Sequence, residues 1–174
     1  MGCLRRNGFE VLYRVHPSPD NYFGRKTRHY LLKEGKTAHM GAALFYMLDV
    51  LRSTLLFSDR RGTVKVFTRY LMGTAYLPES AYEAAYRCFA FALPTSGLMF
   101  LLDITPEVAR RRLNARRDGA EMFETTEQLG KVRARVLGLA KKYGWTIIDA
   151  DKNEVEVHNQ ITRRLAERTG LKLH

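Results

Sequence analysis

Short apolar segments alternate with helical patterns along the whole chain of 174 residues. The apolar segments are rich in branched and aromatic residues, as strands are, and they lie at 9–15, 64–67, 98–103 and 145–149. Because helices separate each consecutive pair, the strands cannot be joined by hairpins and are expected to run parallel. The alternation therefore predicts an α/β fold with a mainly parallel sheet.

The composition is that of one folded domain. Hydrophobic residues make up 45% of the sequence and charged residues 27%, so the chain can form a core and does not belong to the disordered class. A length of 174 residues fits a single domain over 1–174. The sequence contains no internal repeat or low-complexity segment that would divide it.

The two cysteines, Cys3 and Cys88, are far apart in sequence and suggest neither a metal-ligand cluster nor a disulfide framework. No apolar run approaches the roughly 20 residues of a membrane span, and the first residues lack the apolar region of a signal peptide. These features predict a cytoplasmic protein that does not bind a membrane.

The net charge of +11 favours an anionic partner, which could be a nucleotide, a nucleic acid or an acidic membrane surface. Charge alone does not choose among these partners. Because the sequence contains no recognised DNA- or RNA-binding motif, nucleic acid is not expected to be the partner.

A strand of the buried type at 98–103 leads directly into a helix rich in arginine. Arg112 and Arg116 are four residues apart, a spacing that places both guanidinium groups on one face of a helix. Two such groups bind phosphate oxygens well, because each offers paired donors. A solvated basic surface explains the same pattern equally well, so the residues alone leave both interpretations open.

The stretches FLLDITPEVARRRLNARRD and EMFETTEQLGKVRARVLGLAKKYGWTIIDAD resemble the thymidylate kinase family, from the strand before its lid to its last strand. The resemblance implies the three-layer α/β fold of the P-loop nucleotide kinases, with a mainly parallel sheet and a lid at about 112–125. It implies that Arg112 and Arg116 close over the phosphates of ATP and stabilise the transferring phosphoryl group. Glu124 matches a glutamate of the family lid and is a third implied catalytic residue.

Thr68-Arg69-Tyr70 follows the second strand and resembles the Asp-Arg-Tyr motif of the family, whose arginine binds the phosphate of the acceptor nucleotide. The long helix of the first half is similar to the family helix that reads the base, with Phe45 or Tyr46 at its stacking position. The resemblance implies that the partner is a nucleoside monophosphate, dTMP first of all. The implied substrate-binding residues are Arg69, Tyr70, Tyr76, Phe45, Tyr46, Asp49 and Arg52.

Kinases of this family hold ATP with a Gly-x-x-x-x-Gly-Lys-Ser/Thr loop, whose backbone amides and lysine cradle the donor phosphates. The 174 residues contain no such stretch, since Gly35-Lys36-Thr37 has Tyr30 where the first glycine would stand. The resemblance implies ATP and Mg²⁺ as cofactors, with their binding put in doubt by the absent loop, and no residue is assigned to the metal. The first, central strand of the family sheet is expected to be missing with the loop.

Two departures from the family pattern bear on function. Thr68 stands in place of the acid, and His16-Pro17 takes the place of Glu-Pro, where a lone histidine is expected to be an ordinary loop residue. The first implied function is a nucleoside monophosphate kinase that phosphorylates dTMP to dTDP with ATP. The second is a catalytically inactive nucleotide-binding or interaction protein of the same fold. Strand edges left unpaired by a missing strand favour association, so a homodimer is one expected form.

Overall fold

The computed structural model describes residues 2–33, 35–57, 62–115 and 125–171. The chain divides into two compact units, Met1–Pro94 and Thr95–His174, and each unit contains one pair of parallel strands. Strands alternate with helices, which confirms the predicted α/β class. The single domain over 1–174 and the absence of a first strand stay predictions.

The first unit is built from two strands and the helices between and after them. Its elements are α1 (Gly2–Arg6), β1 (Val11–Val15), α2 (Tyr22–Leu31), α3 (Lys36–Phe57), β2 (Val64–Thr68), a 3-10 helix (Leu71–Tyr76) and α4 (Tyr82–Ala92). β1 and β2 pair in parallel, with Val11 opposite Val64 and Val15 opposite Thr68. The parallel orientation predicted for these strands is therefore confirmed.

Local signals in the sequence fix the connection from β1 to α3. Asn21 caps α2, because its side-chain oxygen accepts a hydrogen bond from the backbone N–H of Gly24 at 3.1 Å. Gly35 lies between α2 and α3 with a φ of 102°, in the region that favours glycine. α3 packs along α2 and fully buries Val50. This packing places one side of α3 in the core of the unit.

Pro78 predicts a helix start, because proline is tolerated in the first turn of a helix. The helix α4 begins at Tyr82 instead. The carbonyl of Pro78 accepts hydrogen bonds from the backbone N–H groups of Ala81 and Tyr82 at 2.9 and 3.1 Å, so the proline belongs to a turn before the helix. The 3-10 helix before it was not expected from the sequence, although Leu71 and Ala75 anchor it in the core.

The second unit has the same alternation. Its elements are β3 (Phe100–Asp103), α5 (Pro106–Asn114), α6 (Thr126–Lys142), β4 (Thr146–Asp149) and α7 (Glu154–Thr169). β3 and β4 pair in parallel, with Phe100 opposite Thr146 and Asp103 opposite Asp149. Leu139 and Ile148 are the largest side chains that this unit fully buries. The carboxyl ends of both strands therefore lie at one edge of the pair.

α3 corrects one expectation about membranes. Its residues Thr37–Phe57 form a 21-residue stretch with a mean hydropathy of 1.4, long and apolar enough to cross a membrane by length and composition. The expectation that the chain has no apolar segment of about 20 residues is therefore wrong. A core helix of a globular domain passes the same test, and α3 packs on α2 and buries the charged side chain of Asp49. α3 therefore contributes one side to the core of the first unit, while only 33% of its most apolar 18-residue window is buried.

Candidate functional site

The carboxyl ends of β1 and β2 form the candidate site of the first unit. Ligands of open parallel sheets bind beyond the carboxyl ends of the strands, where loops and helix starts converge. β1 leads into His16 and β2 leads into Arg69, and the backbone N–H of His16 donates to the carbonyl of Thr68 at 3.2 Å. This hydrogen bond holds the start of the loop after β1 next to the end of β2.

Arg69 has an unusual backbone conformation. Its φ is 54°, and within the part of the chain that the structure describes it is the single residue other than glycine with a positive φ. Such a conformation is uncommon for a residue with a β-carbon and costs about 1 to 3 kcal/mol. Tyr70, the next residue, is buried, whereas the side chain of Arg69 is exposed. The backbone at this corner therefore buries the tyrosine and turns the guanidinium outward.

Aromatic rings line the corner beneath Arg69. Tyr46 of α3 is buried, and its hydroxyl donates to the carbonyl of Tyr70 at 2.9 Å. The ring of Phe67 stacks on that of Tyr70 with centroids 5.4 Å apart, and the hydroxyl of Tyr70 donates to the carbonyl of Pro94 at 3.1 Å. These contacts fix three rings around the end of β2.

The environment of the two tyrosines changes their acidity. Burial raises the pKa of Tyr46 above its ordinary value, and the nearby positive charge of Arg69 opposes part of that rise. Burial raises the pKa of Tyr70 to about 12. Both phenols therefore stay protonated at neutral pH and act as hydrogen-bond donors, and the guanidinium of Arg69 lies near the hydroxyl of Tyr46.

The 3-10 helix also packs against the corner, with Gly73 beside the ring of Tyr46. A β-carbon added to Gly73 would lie 2.7 Å from two ring carbons of Tyr46 and 2.9 Å from its hydroxyl oxygen. No side chain fits there without displacing the ring, so the glycine allows the close approach. Tyr76 ends the same helix and is 41% exposed. The structure thus brings Tyr46, Tyr70 and Tyr76 together with Arg69.

Asp49 of α3, which the resemblance implies to bind substrate, lies against the loop after β1. Its side chain is fully buried and accepts hydrogen bonds from the backbone N–H of Ser18 at 2.7 Å, Nδ2 of Asn21 at 2.6 Å and Nδ1 of His16 at 3.0 Å. Burial alone would raise the pKa of this carboxyl group, but the three donors outweigh burial and hold it below the ordinary value. The carboxylate is therefore ionised and organises the loop after β1.

His16 is also fully buried, so it is not an ordinary loop residue. Its ring stacks on Phe67 with centroids 6.0 Å apart and meets the ring of Tyr46 edge-on at 6.3 Å. The sequence did not predict the link between His16 and Asp49, which lie 33 positions apart. The polar run after β1, from His16 through Asn21, is the signal that would have pointed to it.

Two other predicted residues, Phe45 and Arg52, make no ring contact or hydrogen bond with the described residues of the corner. Phe45 stacks on Tyr30 of α2 with centroids 5.6 Å apart and contacts the ring of Tyr22 edge-on at 6.1 Å. Arg52 is half-buried on α3 and makes no hydrogen bond or ion pair with the residues that the structure describes. Of the two residues proposed for the stacking position, Tyr46 lies at the corner and Phe45 faces α2.

In the second unit, Arg112 holds the loop after β4. Its Nη1 donates to the carbonyl of Ala150 at 2.9 Å, and its Nη2 donates to the carbonyl of Lys152 at 2.9 Å. The guanidinium is thus bound to backbone oxygens in this structure, and its catalytic role stays a prediction. Arg116 and Glu124 lie outside the described residues.

A second polar pair lies at the carboxyl ends of β3 and β4. Nε and Nη2 of Arg133 donate to the two carboxylate oxygens of Asp103 at 2.7 and 2.9 Å. This bidentate bond lowers the pKa of Asp103 below its ordinary value, while partial burial opposes the shift. Asp151 accepts from both the backbone N–H and the hydroxyl of Thr105 at 2.8 and 3.1 Å. These bonds tie the strand ends to α5 and α6.

The chain is similar to thymidylate kinases in sequence and in fold. A sequence model of the thymidylate kinase family matches residues 2–161 of the chain. The probable thymidylate kinase of Pyrobaculum aerophilum is 27% identical over 151 residues, which cover 84% of this chain and 78% of that protein. That of Methanothermobacter thermautotrophicus is 29% identical over 173 residues, 97% of this chain and 85% of that protein. The solved structure of the thymidylate kinase from Candida albicans has the same fold, with a TM-score of 0.68 at 16% identity over 94% of this chain and 83% of that one.

Proposed function

The chain belongs to the thymidylate kinase family, and we propose that it is a nucleoside monophosphate kinase with dTMP as acceptor and ATP as donor. The family match and the relatives support a kinase of nucleotide biosynthesis. They give no support to the alternative of an inactive protein of the same fold. The fold, with parallel strands between helices, agrees with this class.

The conformation of Arg69 is the observation that carries the proposal. A positive φ at a residue other than glycine persists only where the surrounding structure imposes it, and such residues cluster at binding sites. The side chain of Arg69 is exposed and forms no hydrogen bond or ion pair with any residue in the described ranges. A guanidinium held in this way at a strand end can take a phosphate with paired N–H donors. We assign it to the phosphate of dTMP.

The neighbouring rings suit the rest of a nucleotide. Tyr76 is 41% exposed at this corner, and the rings of Tyr46 and Phe67 both contact the ring of His16 beside it. Planar rings of this kind pack against the sugar and the flat face of a base. The proposed acceptor site therefore comprises Arg69 for the phosphate, with Tyr46, Tyr70 and Tyr76 around the nucleoside.

The proposal that ATP is the phosphoryl donor depends only on membership of the family. ATP and Mg²⁺ are general in thymidylate kinases, and in such sites the metal is held mainly by phosphates with one or two carboxylates. The described residues contain no group of three or more His, Cys, Asp or Glu side chains that would hold a metal ion by themselves. These residues therefore do not hold a metal ion by themselves, and the phosphates of ATP would supply most of its ligands.

Replacement of Arg69 tests the acceptor site directly. Arg69→Ala is expected to weaken dTMP binding by about 1.5 to 3 kcal/mol, the contribution of a hydrogen bond to a charged group. Arg87→Ala is the matched control, because Arg87 is an exposed arginine on α4 and removes the same charge. Calorimetric titration at one salt concentration measures both. Equal losses in the two variants would show that only net charge matters, and the proposed site would be wrong.

Two properties of the protein extend the proposal. Cys3 and Cys88 form no disulfide with each other, which supports the cytoplasmic setting proposed from the sequence. The homodimer also stays a proposal, supported by exposed apolar side chains on α3. Three of them, Met40, Leu44 and Leu51, lie at helical spacing on one face. Sedimentation equilibrium of the chain measures this association.

A further inference from the structure

The guanidinium group of Arg112 is bound to the backbone of one loop. Its Nη1 donates to the carbonyl of Ala150 at 2.9 Å, and its Nη2 donates to the carbonyls of Asp151 and Lys152 at 3.4 and 2.9 Å. Three successive carbonyl groups thus share one guanidinium, whose N–H donors have a fixed, planar geometry. Both Nη atoms therefore bind the protein's own backbone, whereas an arginine that binds phosphate would leave them free.

The same loop is also bound at the other end of α5. Oδ1 of Asp151 accepts hydrogen bonds from the backbone N–H and the hydroxyl of Thr105, at 2.8 and 3.1 Å. The backbone N–H of Ala150 donates to the carbonyl of Asp103 at 2.7 Å. Thr105 precedes the first turn of α5 and Arg112 lies in its last turn. The loop after β4 is therefore attached to α5 at both ends of the helix.

This loop lies where ligands of open parallel sheets bind. It leaves β4 at the carboxyl end, beside the carboxyl end of β3. Lys152 is exposed there, and its backbone N–H has no hydrogen-bond partner within the described ranges. A shift of the loop would move this N–H donor and the charged side chain together. The residue that fixes the loop therefore determines which groups this edge of the strand pair offers to a ligand.

We propose that Arg112 is a positioning residue, which holds the loop 150–152 in place and acts on the donor nucleotide through this loop instead of binding its phosphates. The inference rests on the proposed function, and it gives Arg112 a role different from the one that the family resemblance implies. A phosphate would have to replace the bonds to three carbonyl groups in order to draw the guanidinium away. Arg112 is therefore expected to stay on the loop when ATP binds.

Steady-state kinetics with ATP and saturating dTMP separate the two roles. Arg112→Ala should raise the KM for ATP about tenfold, the effect of losing a hydrogen bond to a charged group, and leave kcat unchanged. Arg112→Lys keeps a charged donor for the carbonyl groups and should recover part of the loss. Arg111→Ala is the matched control and should change neither constant. Arg111 lies on the same helix, is exposed, and makes no hydrogen bond or ion pair with any described residue.

Hydrogen exchange in the ligand-free protein gives a second measurement, which does not depend on turnover. The backbone N–H groups of Ala150 and Asp151 are hydrogen-bonded to the Asp103 carbonyl and to Oδ1 of Asp149, at 2.7 and 3.0 Å. Loss of the Arg112 side chain should make local opening of the loop more frequent, so both amides should exchange about tenfold faster in Arg112→Ala. Their exchange in Arg111→Ala should match that of the natural protein.

The outcomes distinguish this inference from the function on which it rests. If the natural protein transfers no phosphate from ATP to dTMP, the proposed function is wrong and the inference falls with it. If it does, a lower kcat at unchanged KM in Arg112→Ala would show that the guanidinium acts on the transferring phosphoryl group. Unchanged exchange of the loop amides would show that Arg112 does not hold the loop, and either result overturns the inference alone. Should Arg112→Ala fail to fold, Arg112→Lys decides by the same two measurements.

Discussion

In the first unit, an added methyl group should lower the free energy of unfolding most at Gly24. A β-carbon built on Gly24 would lie 1.8 Å from the carbonyl oxygen of Ser18 and 2.6 Å from its nitrogen. Both are backbone atoms, so no rotation of a side chain can relieve the overlap. The variant Gly24→Ala must therefore push the loop after β1 away from the start of α2.

The cost follows from the bonds that this shift breaks. Ser18 N–H and Asn21 Nδ2 both donate to the buried carboxylate of Asp49, and each hydrogen bond to a charged group contributes about 1.5 to 3 kcal/mol. Alanine is favoured over glycine inside a helix by about 1 kcal/mol, which offsets part of the loss. We expect Gly24→Ala to lower the free energy of unfolding by about 2 to 5 kcal/mol.

Urea unfolding followed by circular dichroism measures the effect, with Gly138→Ala as the reference. Gly138 lies within α6, is exposed, and has no atom within 4 Å of an added β-carbon. That variant should gain about 0.5 to 1 kcal/mol from helix propensity. The two methyl groups should thus act in opposite directions. A Gly24→Ala protein as stable as the natural one would refute the proposed packing of the loop.

Two further predictions concern the corner and the second strand pair. Gly73→Ala should destabilise the first unit by about 1 to 3 kcal/mol, because the added methyl group displaces the ring of Tyr46. The same displacement should weaken dTMP binding. Unchanged affinity for dTMP in a calorimetric titration would show that the corner is not the binding site. The hydrogen bonds from Arg133 lower the pKa of Asp103 in the folded protein. Their contribution to the free energy of unfolding is therefore complete above the pKa of Asp103 in the unfolded chain, about 3.9. This contribution is lost as the pH falls through the lower pKa of the folded protein. The difference in unfolding free energy between the natural protein and Asp103→Asn should therefore shrink between about pH 6 and pH 3, and a constant difference would be inconsistent with this pairing.

The fold was predictable to the extent that local patterns determine it. Strands appeared where branched and aromatic residues cluster, and their parallel direction followed from the helices between them. The start of α4 was wrong because Pro78 suits a turn as well as a first helical turn. The 3-10 helix 71–76 gave no periodic signal, since its position depends on the fit of Gly73 against a ring from α3.

The candidate site was predictable in part for a related reason. The family resemblance implied Arg69 and Tyr46 from short motifs beside a strand and on a helix, and their roles stay predictions. The bonds that join Asp49 to His16 and Arg133 to Asp103 could not, because the partners lie 33 and 30 positions apart and their pairing depends on the tertiary fold. Sequence patterns report local spacing, whereas a buried polar network is defined by contacts between distant segments.

We propose that the corner at Arg69 binds the phosphate of a thymidine nucleotide. Calorimetric titration of the chain with dTMP and with thymidine, at the same pH and salt, isolates this contact because the two ligands differ only in the phosphate. We expect dTMP to bind at least about tenfold more tightly, since one hydrogen bond to a charged group contributes about 1.5 kcal/mol or more. Equal affinity for the two ligands, or no binding of dTMP, would contradict it.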